Sequence, residues 1–406
     1  MPIDFPTTTR PFGPAPSPAA LSHEPLLRLI ACGGPLATRR LLLDDGRHPV
    51  DAMAGGPALW RACGLSPAQI GVLQGPPSPH VAQALDWLAR PGHHLIGWHD
   101  PDYPPLLRRA PGPPLALFVA GDPMLLWHPA VALVGSRSAT PGGCDNAASF
   151  ARALVASGLA ITSGLAAGID TAAHQSALRA GGLTVAVLGT GPDVVYPRAN
   201  AALHASIASR GAIVSEHLPG TRARKEHFPS RNRILAGLSL ATVVIEAAER
   251  SGALITARLA SEAGREVFAL PGSIHNPFAR GCHRLIRDGA GLVESAQEVI
   301  AALAPMACEL GDGLRRRLGA PTSVGHGNVA PNRPQPEQAS DRLKDLGTGD
   351  DPNYQNLWNA LGHDPMGMDQ LVDRTALTPA VLSSMLLFME LEGRVATQHG
   401  RYFRKR

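Results

Sequence analysis

The run GTRARKEHFPSRNRIL, Gly220 to Leu235, sets Arg222, Arg224, Lys225, Arg231 and Arg233 against one acid, Glu226, with Phe228 among them. Cations interleaved with an aromatic suit single-stranded nucleic acid. The cations neutralise phosphates, and the ring stacks on an unpaired base for roughly 1–3 kcal/mol. A solvated loop in an arginine-rich chain, with Phe228 filling the core, is the other reading of the same residues. Arg231 and Arg233 fall at the start of an expected helix, RNRILAGL, where cations oppose the macrodipole. Their placement asks for an anionic partner, either a ligand or a carboxylate such as Glu246. His174 follows Asp170 by one helical turn, a spacing that reads as a structural hydrogen bond rather than acid–base or metal chemistry. SGLAAGIDTAA reads as strand, glycine turn and helix N-terminus, whose backbone N–H groups could hold a phosphate.

The elements that must position these groups lie between Val131 and Ile300. VALVGSR, LAITSG, LTVAVLGTG, AIVSEH, ATVVIEAA and EVFALPGS are short apolar runs, each ending in small residues and followed by a helical pattern. Continuous apolar runs joined by helices are the mark of a buried parallel sheet. In such a sheet ligands bind beyond the carboxyl ends of the strands. Those ends carry Gly135, Ser136 and Arg137; Ser163 and Gly164; Gly189, Thr190 and Gly191; Ser215 and Glu216; Glu246; and Pro271 and Gly272. A single turn of this kind is only a tight βα connection. Six in one sheet point to a binding crevice.

Several function classes are excluded. GSRSAT puts a bulky Arg where the second glycine of GxGxxG belongs, so no dinucleotide is expected. No GxxxxGK[ST] is present, so no P-loop is expected either, and no other cofactor is indicated. The five cysteines are odd in number and widely spaced, which argues against a disulfide framework or a zinc site. No signal-peptide pattern and no apolar run of membrane-spanning length occurs, so the expected location is cytoplasmic. The net charge of +4 suits an anionic partner. All but Lys225, Lys344 and Lys405 of the 37 basic residues are arginine.

A chain of 406 residues calls for two or three domains. Residues 1–20 are Pro- and Thr-rich and are expected to be disordered. Residues 21–90 read as a small helical module of helix-hairpin-helix or sterile-alpha-motif type, with Ser66 as an N-cap before Pro67. Its use in backbone binding, partner binding or packing stays open. Leu95 to Asp122 reads as an extra strand pair, and 95–304 as the main domain. Residues 309–350 read as a flexible linker. Residues 352–406 give three helices and a hairpin, the winged-helix arrangement. Its last helix, Thr378 to Gly393, has no Lys, Arg, Asn or Gln with which to read bases, which favours protein contact or packing over DNA.

With these motifs in place the chain resembles the DNA-processing protein A family (DprA, also called Smf). The resemblance rests on VALVGSR, SGLAAGIDTAAH, the spaced run from Thr184 to Pro197, SEHLPG, HFPSRNRIL, EAAERSGALITA and REVFALPGS, and it spans about 95–300. It implies an extended Rossmann-like, doubly wound and mostly parallel α/β sheet, between a helical module and a winged helix. It implies a non-enzymatic protein that binds single-stranded DNA, dimerises, and loads the RecA recombinase in transformation and recombination. The family's strand-binding residues map onto Arg137, Lys225 and Phe228. Gly135, Ser136, Ser163 and Gly164 would form a phosphate cradle, and Arg231 and Asn232 would support it. His283 stands where the family commonly has Asn. The rival is a nucleotide-base phosphoribohydrolase, which shares the architecture but carries PGGxGTxxE. The nearest stretch here, PGSIHNP at 271–277, lacks that glutamate, leaving Glu216 and Glu246 as substitutes.

Overall fold

The computed structural model describes residues 23–317, 352–362, 365–398 and 400–404. The expectation for residues 1–20, and most of that for 309–350, lies outside them. The chain divides into two units, one ending at Leu314 and one beginning at Arg315.

The first unit is built on a nine-stranded sheet of order β1-β2-β6-β5-β4-β3-β7-β8-β9. The strands are β1 (His93–Gly97), β2 (Ala116–Gly121), β3 (Ala130–Val134), β4 (Ala160–Ser163), β5 (Thr184–Leu188), β6 (Ala212–Ser215), β7 (Ala241–Val244), β8 (Glu266–Ala269) and β9 (Gly291–Leu292). β3 to β9 are parallel, while β1 pairs antiparallel with β2, and β2 with β6. The strand pair expected from Leu95 to Asp122 is thus present, as is the α/β, mostly parallel sheet. β3, β4 and β5 are buried along their whole length, because both faces are covered. Val131 and Leu133 point into one layer and Ala132 and Val134 into the other.

Six helices precede the sheet: α1 (Glu24–Ala31), α2 (Leu36–Leu41), α3 (Pro49–Ala54), α4 (Gly56–Ala62), α5 (Pro67–Gln74) and α6 (Pro79–Leu88). Ser66 caps α5 as expected. Its Oγ accepts from the Gln69 N–H at 3.3 Å, and Gln69 Oε1 accepts from the Ser66 N–H at 3.0 Å. Leu26, Leu29, Trp60 and Trp87 from these helices share one core with Phe118 of β2 and Ile213 of β6.

A short helix α7 (Pro105–Arg108) lies between β1 and β2. The crossovers are α8 (Pro141–Ala156), α9 (Ile169–Arg179), α10 (Ala201–Arg210), α11 (His227–Leu238) and α12 (Gly252–Glu262), followed by α13 (Arg280–Arg287) and α14 (Ala296–Arg317). α8, α9 and α14 pack on one face; α7, α11, α12 and α13 pack on the other. α14 corrects the linker boundary, since residues 309–317 continue a helix. The buried residues Val299, Leu303, Ala307 and Leu314 keep its apolar face in register past Pro305.

The second unit holds α15 (Pro352–Ala360), β10 (Met366–Gly367), α16 (Met368–Thr375), α17 (Pro379–Leu391), β11 (Val395–Gln398) and β12 (Arg401–Arg404). The three strands pair antiparallel in the order β10-β12-β11. Three helices and this small sheet make the expected winged helix, closed around Leu371, Leu382, Met385 and Leu386. α17 leaves Leu387, Phe388 and Leu391 exposed on its outer side beside Glu390. Arg394 and Arg404, two of the wing's cations, lie over the Trp358 ring at 4.6 and 4.5 Å. Among the described residues no single helix is long and apolar enough to cross a membrane.

Candidate nucleic-acid interface

The chain runs β3, β4, β5, β6 in one direction across the sheet, then jumps back past β3 to lay down β7, β8 and β9. The reversal falls between β3 and β7. That switch point is where an open α/β sheet leaves a crevice beyond its strand ends. A cleft of about 760 Å³ sits there, lined by the turn after β3, the start of α11 and the start of α12. Its charged lining residues are Arg137, Lys225, Arg231 and Arg250, with one acid, Asp170. Arg137, Lys225 and Arg250 are exposed.

Backbone contacts bring these segments together. The Gly191 N–H donates to the Thr221 carbonyl at 2.9 Å, and the Gly220 N–H to Asp193 Oδ1 at 2.7 Å. They tie the loop after β5 to the loop that carries Lys225. His227 Nδ1 lies 3.2 Å from the Gly189 carbonyl oxygen, and its ring stacks on His217 at 4.1 Å between centroids. Burial, with His227, Arg233 and Arg224 adding to it, holds His217 down to about 4, so the stacked pair is not doubly charged near neutrality.

Phe228 then faces the turn after β3. The Arg137 guanidinium lies 5.4 Å from its ring centroid. Tyr196, 45% exposed, leans on the same ring at 5.3 Å with a 43° tilt. Arg137, Lys225 and Phe228, separated by some ninety residues in sequence, therefore line one cleft. Gly135 and Ser136 line it too. A Cβ at Gly135 would meet the Ile169 side chain at 2.6 Å and the Glu246 carbonyl at 2.9 Å, so that turn admits only glycine. Ser136 Oγ accepts from the Ser138 N–H at 3.1 Å, which shapes the turn.

Ser163 and Gly164 do not reach the surface as a cradle would require. The Ser163 hydroxyl is buried and donates to the Leu133 carbonyl at 2.6 Å. Gly164 is small for a different reason: a Cβ there would lie 1.9 Å from the Arg231 guanidinium. The turn after β4 does point N–H groups inward, but they are already used. Leu165 adopts a left-handed backbone (φ 57°), so the flanking N–H groups of Gly164 and Ala166 converge like an anion nest. Asp170 Oδ2 accepts both, at 3.0 and 3.3 Å. The phosphate expected at that helix N-terminus is replaced by the protein's own carboxylate.

Arg231 is 5% exposed, so it is no free phosphate contact. It donates to the Val187 carbonyl. Burial pushes its pKa down to about 10, opposed by Asp170. Burial pushes Asp170 up, opposed by Arg231 and the two N–H groups. Each partner charges the other against desolvation, and two donors on one oxygen favour the carboxylate form. α11 begins at His227 rather than at Arg231, which corrects the expected helix start. Pro229 is tolerated because it sits in the first turn. Arg231 and Arg233 thus lie beyond the first turn, and Arg233 pairs with Glu216, not Glu246. Asn232 is buried, with Nδ2 at 3.5 Å from the Gly252 carbonyl at the start of α12.

Glu246 has a different task. It accepts from the Thr140 N–H at 2.9 Å, the Thr140 hydroxyl at 2.6 Å and Asn276 Nδ2 at 3.3 Å. The two carboxylates open to a hydrolase reading, Glu216 and Glu246, are both engaged by protein donors. Nor does His174 bond Asp170. Its Nδ1 lies 2.7 Å from Thr184 Oγ1, whose hydroxyl donates to the Ile161 carbonyl at 2.8 Å, so Nδ1 carries the proton.

His174 gives the fold an acid sensitivity. Burial, then Arg231, pushes its pKa down to about 3. In the unfolded chain the same imidazole titrates near about 6.5. Between these values the unfolded state binds a proton that the folded state refuses. Stability from this group is complete above about pH 6.5 and falls as pH drops, by up to about 1.4 kcal/mol per pH unit. Urea unfolding at about pH 7 and about pH 4.5 should show a smaller difference for His174→Gln than for the unaltered chain. An equal difference would place the proton uptake on other groups.

Sequence reasoning missed two lining residues, Tyr196 and Arg250. Both sit inside motifs quoted for the family resemblance, and their exposure at a shared cleft was the missing signal.

The family model for DNA recombination-mediator protein A matches residues 94–304, and the DprA winged helix domain matches 331–401. The chain belongs to the DNA recombination-mediator protein A (DprA/Smf) family. It is 39% identical over 318 residues to protein Smf of Synechocystis sp., covering 76% of this chain and 79% of that protein. It is 38% identical over 331 residues to protein Smf of Escherichia coli, covering 81% and 82%. The X-ray structure of DNA processing protein A from Streptococcus pneumoniae matches with a TM-score of 0.59 at 37% identity, covering 69% of this chain and 98% of that one. The family model encloses every cleft residue named above.

Proposed function

We propose that this chain is a single-stranded-DNA-binding recombination mediator. It holds exposed single strands in the cytoplasm as a homodimer and passes them to the RecA recombinase, in natural transformation or other homologous recombination, without a catalytic step or a cofactor. The observation that carries the reading is the convergence of exposed Arg137, Lys225 and Arg250 around Phe228 at the sheet's switch point. Such a groove holds phosphates by charge and an unpaired base by stacking, with no hydrogen-bond pattern to select one base over another. Gly135, Ser136 and Asn232 shape the walls, and Arg231 stiffens the floor. Family membership supports the recombination role.

The test is fluorescence anisotropy of a labelled oligonucleotide, single- against double-stranded, over a salt series. Three exposed cations predict a slope of log K against log salt of about −2 per protomer for a single strand. Tighter binding to duplex, or affinity indifferent to salt, would sink the reading. RecA filament assembly on coated strands then tests the hand-over.

A further inference from the structure

Tyr196 is the cleft residue for which packing gives no sufficient reason. It is 45% exposed, it belongs to the loop after β5 rather than to any helix, and it lines the cleft that Phe228 and Lys225 line. Its ring rests against Phe228 at 5.3 Å, tilted by 43°. Phe228 is approached from elsewhere by the Arg137 guanidinium at 5.4 Å. Guanidinium, phenyl and phenol thus form one short ladder of flat groups at the mouth of a basic cleft. A large aromatic left that exposed loses the benefit of burial, and its position beside cations is the arrangement by which unpaired bases are held.

We propose that Tyr196 is a second stacking platform, so that the cleft holds two neighbouring unpaired bases, one on Phe228 and one on Tyr196. The inference rests on the single-strand reading of the cleft given above. Two features place the second base there. The loop bearing Tyr196 is tied to the loop bearing Lys225 by the bonds Gly191 to Thr221 and Gly220 to Asp193, so a phosphate on Lys225 and a base on Tyr196 belong to the same short stretch of strand. The cleft lining also offers no free acid near the ring, because Asp170 is buried and already bonded. Stacking is a property of the ring, so the hydroxyl is dispensable and the platform accepts any base.

The experiment uses the full chain and an oligothymidylate, with affinity read by anisotropy for Tyr196→Ala, Tyr196→Leu and Tyr196→Phe. A matching oligonucleotide carrying 5-iodouracil is irradiated and its crosslinks are mapped by mass spectrometry. Tyr196→Ala is expected to lose about 5- to 100-fold in affinity. Tyr196→Leu is expected to lose nearly as much while keeping the bulk against Phe228, Tyr196→Phe to bind like the unaltered chain, and crosslinks to appear at Tyr196. If Tyr196→Phe falls as far as Tyr196→Ala, the hydroxyl and not the ring makes the contact, and the proposal is overturned. If Tyr196→Leu binds normally and no crosslink forms there, while Lys225→Ala/Phe228→Ala still weakens binding, the second platform is wrong and the cleft stands. If that double variant also binds normally, the cleft reading itself is lost.

Discussion

Lys225→Ala/Phe228→Ala is expected to bind a single-stranded oligonucleotide about 30-fold or more weakly than the unaltered chain. The loss of one stacked base removes roughly 1–3 kcal/mol, and the loss of one phosphate contact adds about 1 kcal/mol, with tenfold in affinity for each 1.4 kcal/mol. The effect is local. Lys225 is exposed, and Phe228 touches the cleft through Tyr196 and Arg137 rather than through the core beneath the sheet. Thermal unfolding of the double variant should therefore stay close to that of the parent. The salt slope should also become shallower, because one of three exposed cations is gone. Affinity within about twofold of the parent would show that the strand lies elsewhere.

The second large effect concerns stability. Asp170→Ala is expected to destabilise the first unit by about 3 kcal/mol or more. It leaves two inward N–H groups, on Gly164 and Ala166, without an acceptor, and it leaves the buried Arg231 without its nearest counter-charge. With Asp170 gone, burial and the nearby Arg137 both oppose the Arg231 charge and no carboxylate offsets them. Arg231→Met in the same background should recover part of the loss, because an apolar chain of similar length suits the space better than an uncompensated cation. Urea unfolding of the two single variants and the double completes the cycle. Strict additivity would mean that Asp170 and Arg231 do not support each other.

Much of this architecture is legible in the sequence. β3, β4, β5, β6, β7 and β8 appear as mainly apolar runs because most of their positions are buried between two helical layers, with only small polar residues such as Thr162, Thr184 and Thr242 among the buried ones. Lys225 and Phe228 stand three apart in a basic run that follows a strand end, and Arg137 follows another strand, so their meeting beyond the sheet is legible in the sequence. What stayed hidden depends on direction rather than type. An arginine in a basic run looks like a phosphate contact until its guanidinium is found beneath Gly164, bonded to the Val187 carbonyl. Glu216 and Glu246 look interchangeable as partners for Arg233 until the sheet order sets one beside it and sends the other to Thr140. Tyr196 is 32 positions from Phe228, and nothing local says that the two rings meet. The helix past 309 is hidden in the sequence because ELGDGLRRR is polar and glycine-rich with little apolar periodicity, whereas Leu314 continues the buried face of α14.

The converging N–H groups around Leu165 have a bearing on what the switch point can hold. A Rossmann-like switch point is where other proteins of this architecture capture mononucleotides, and it does so by offering empty backbone donors to a phosphate. Here Asp170 accepts from the Gly164 and Ala166 N–H groups after β4, and Glu246 accepts from the Thr140 N–H. A free nucleotide would have to displace a carboxylate that the chain itself supplies at every moment. A polymer avoids that contest, since it spreads weak contacts over several exposed cations and rings along its length. Under the single-strand reading proposed above, the internal carboxylate disfavours a lone phosphate at these donors and leaves the exposed cations and rings to a longer chain.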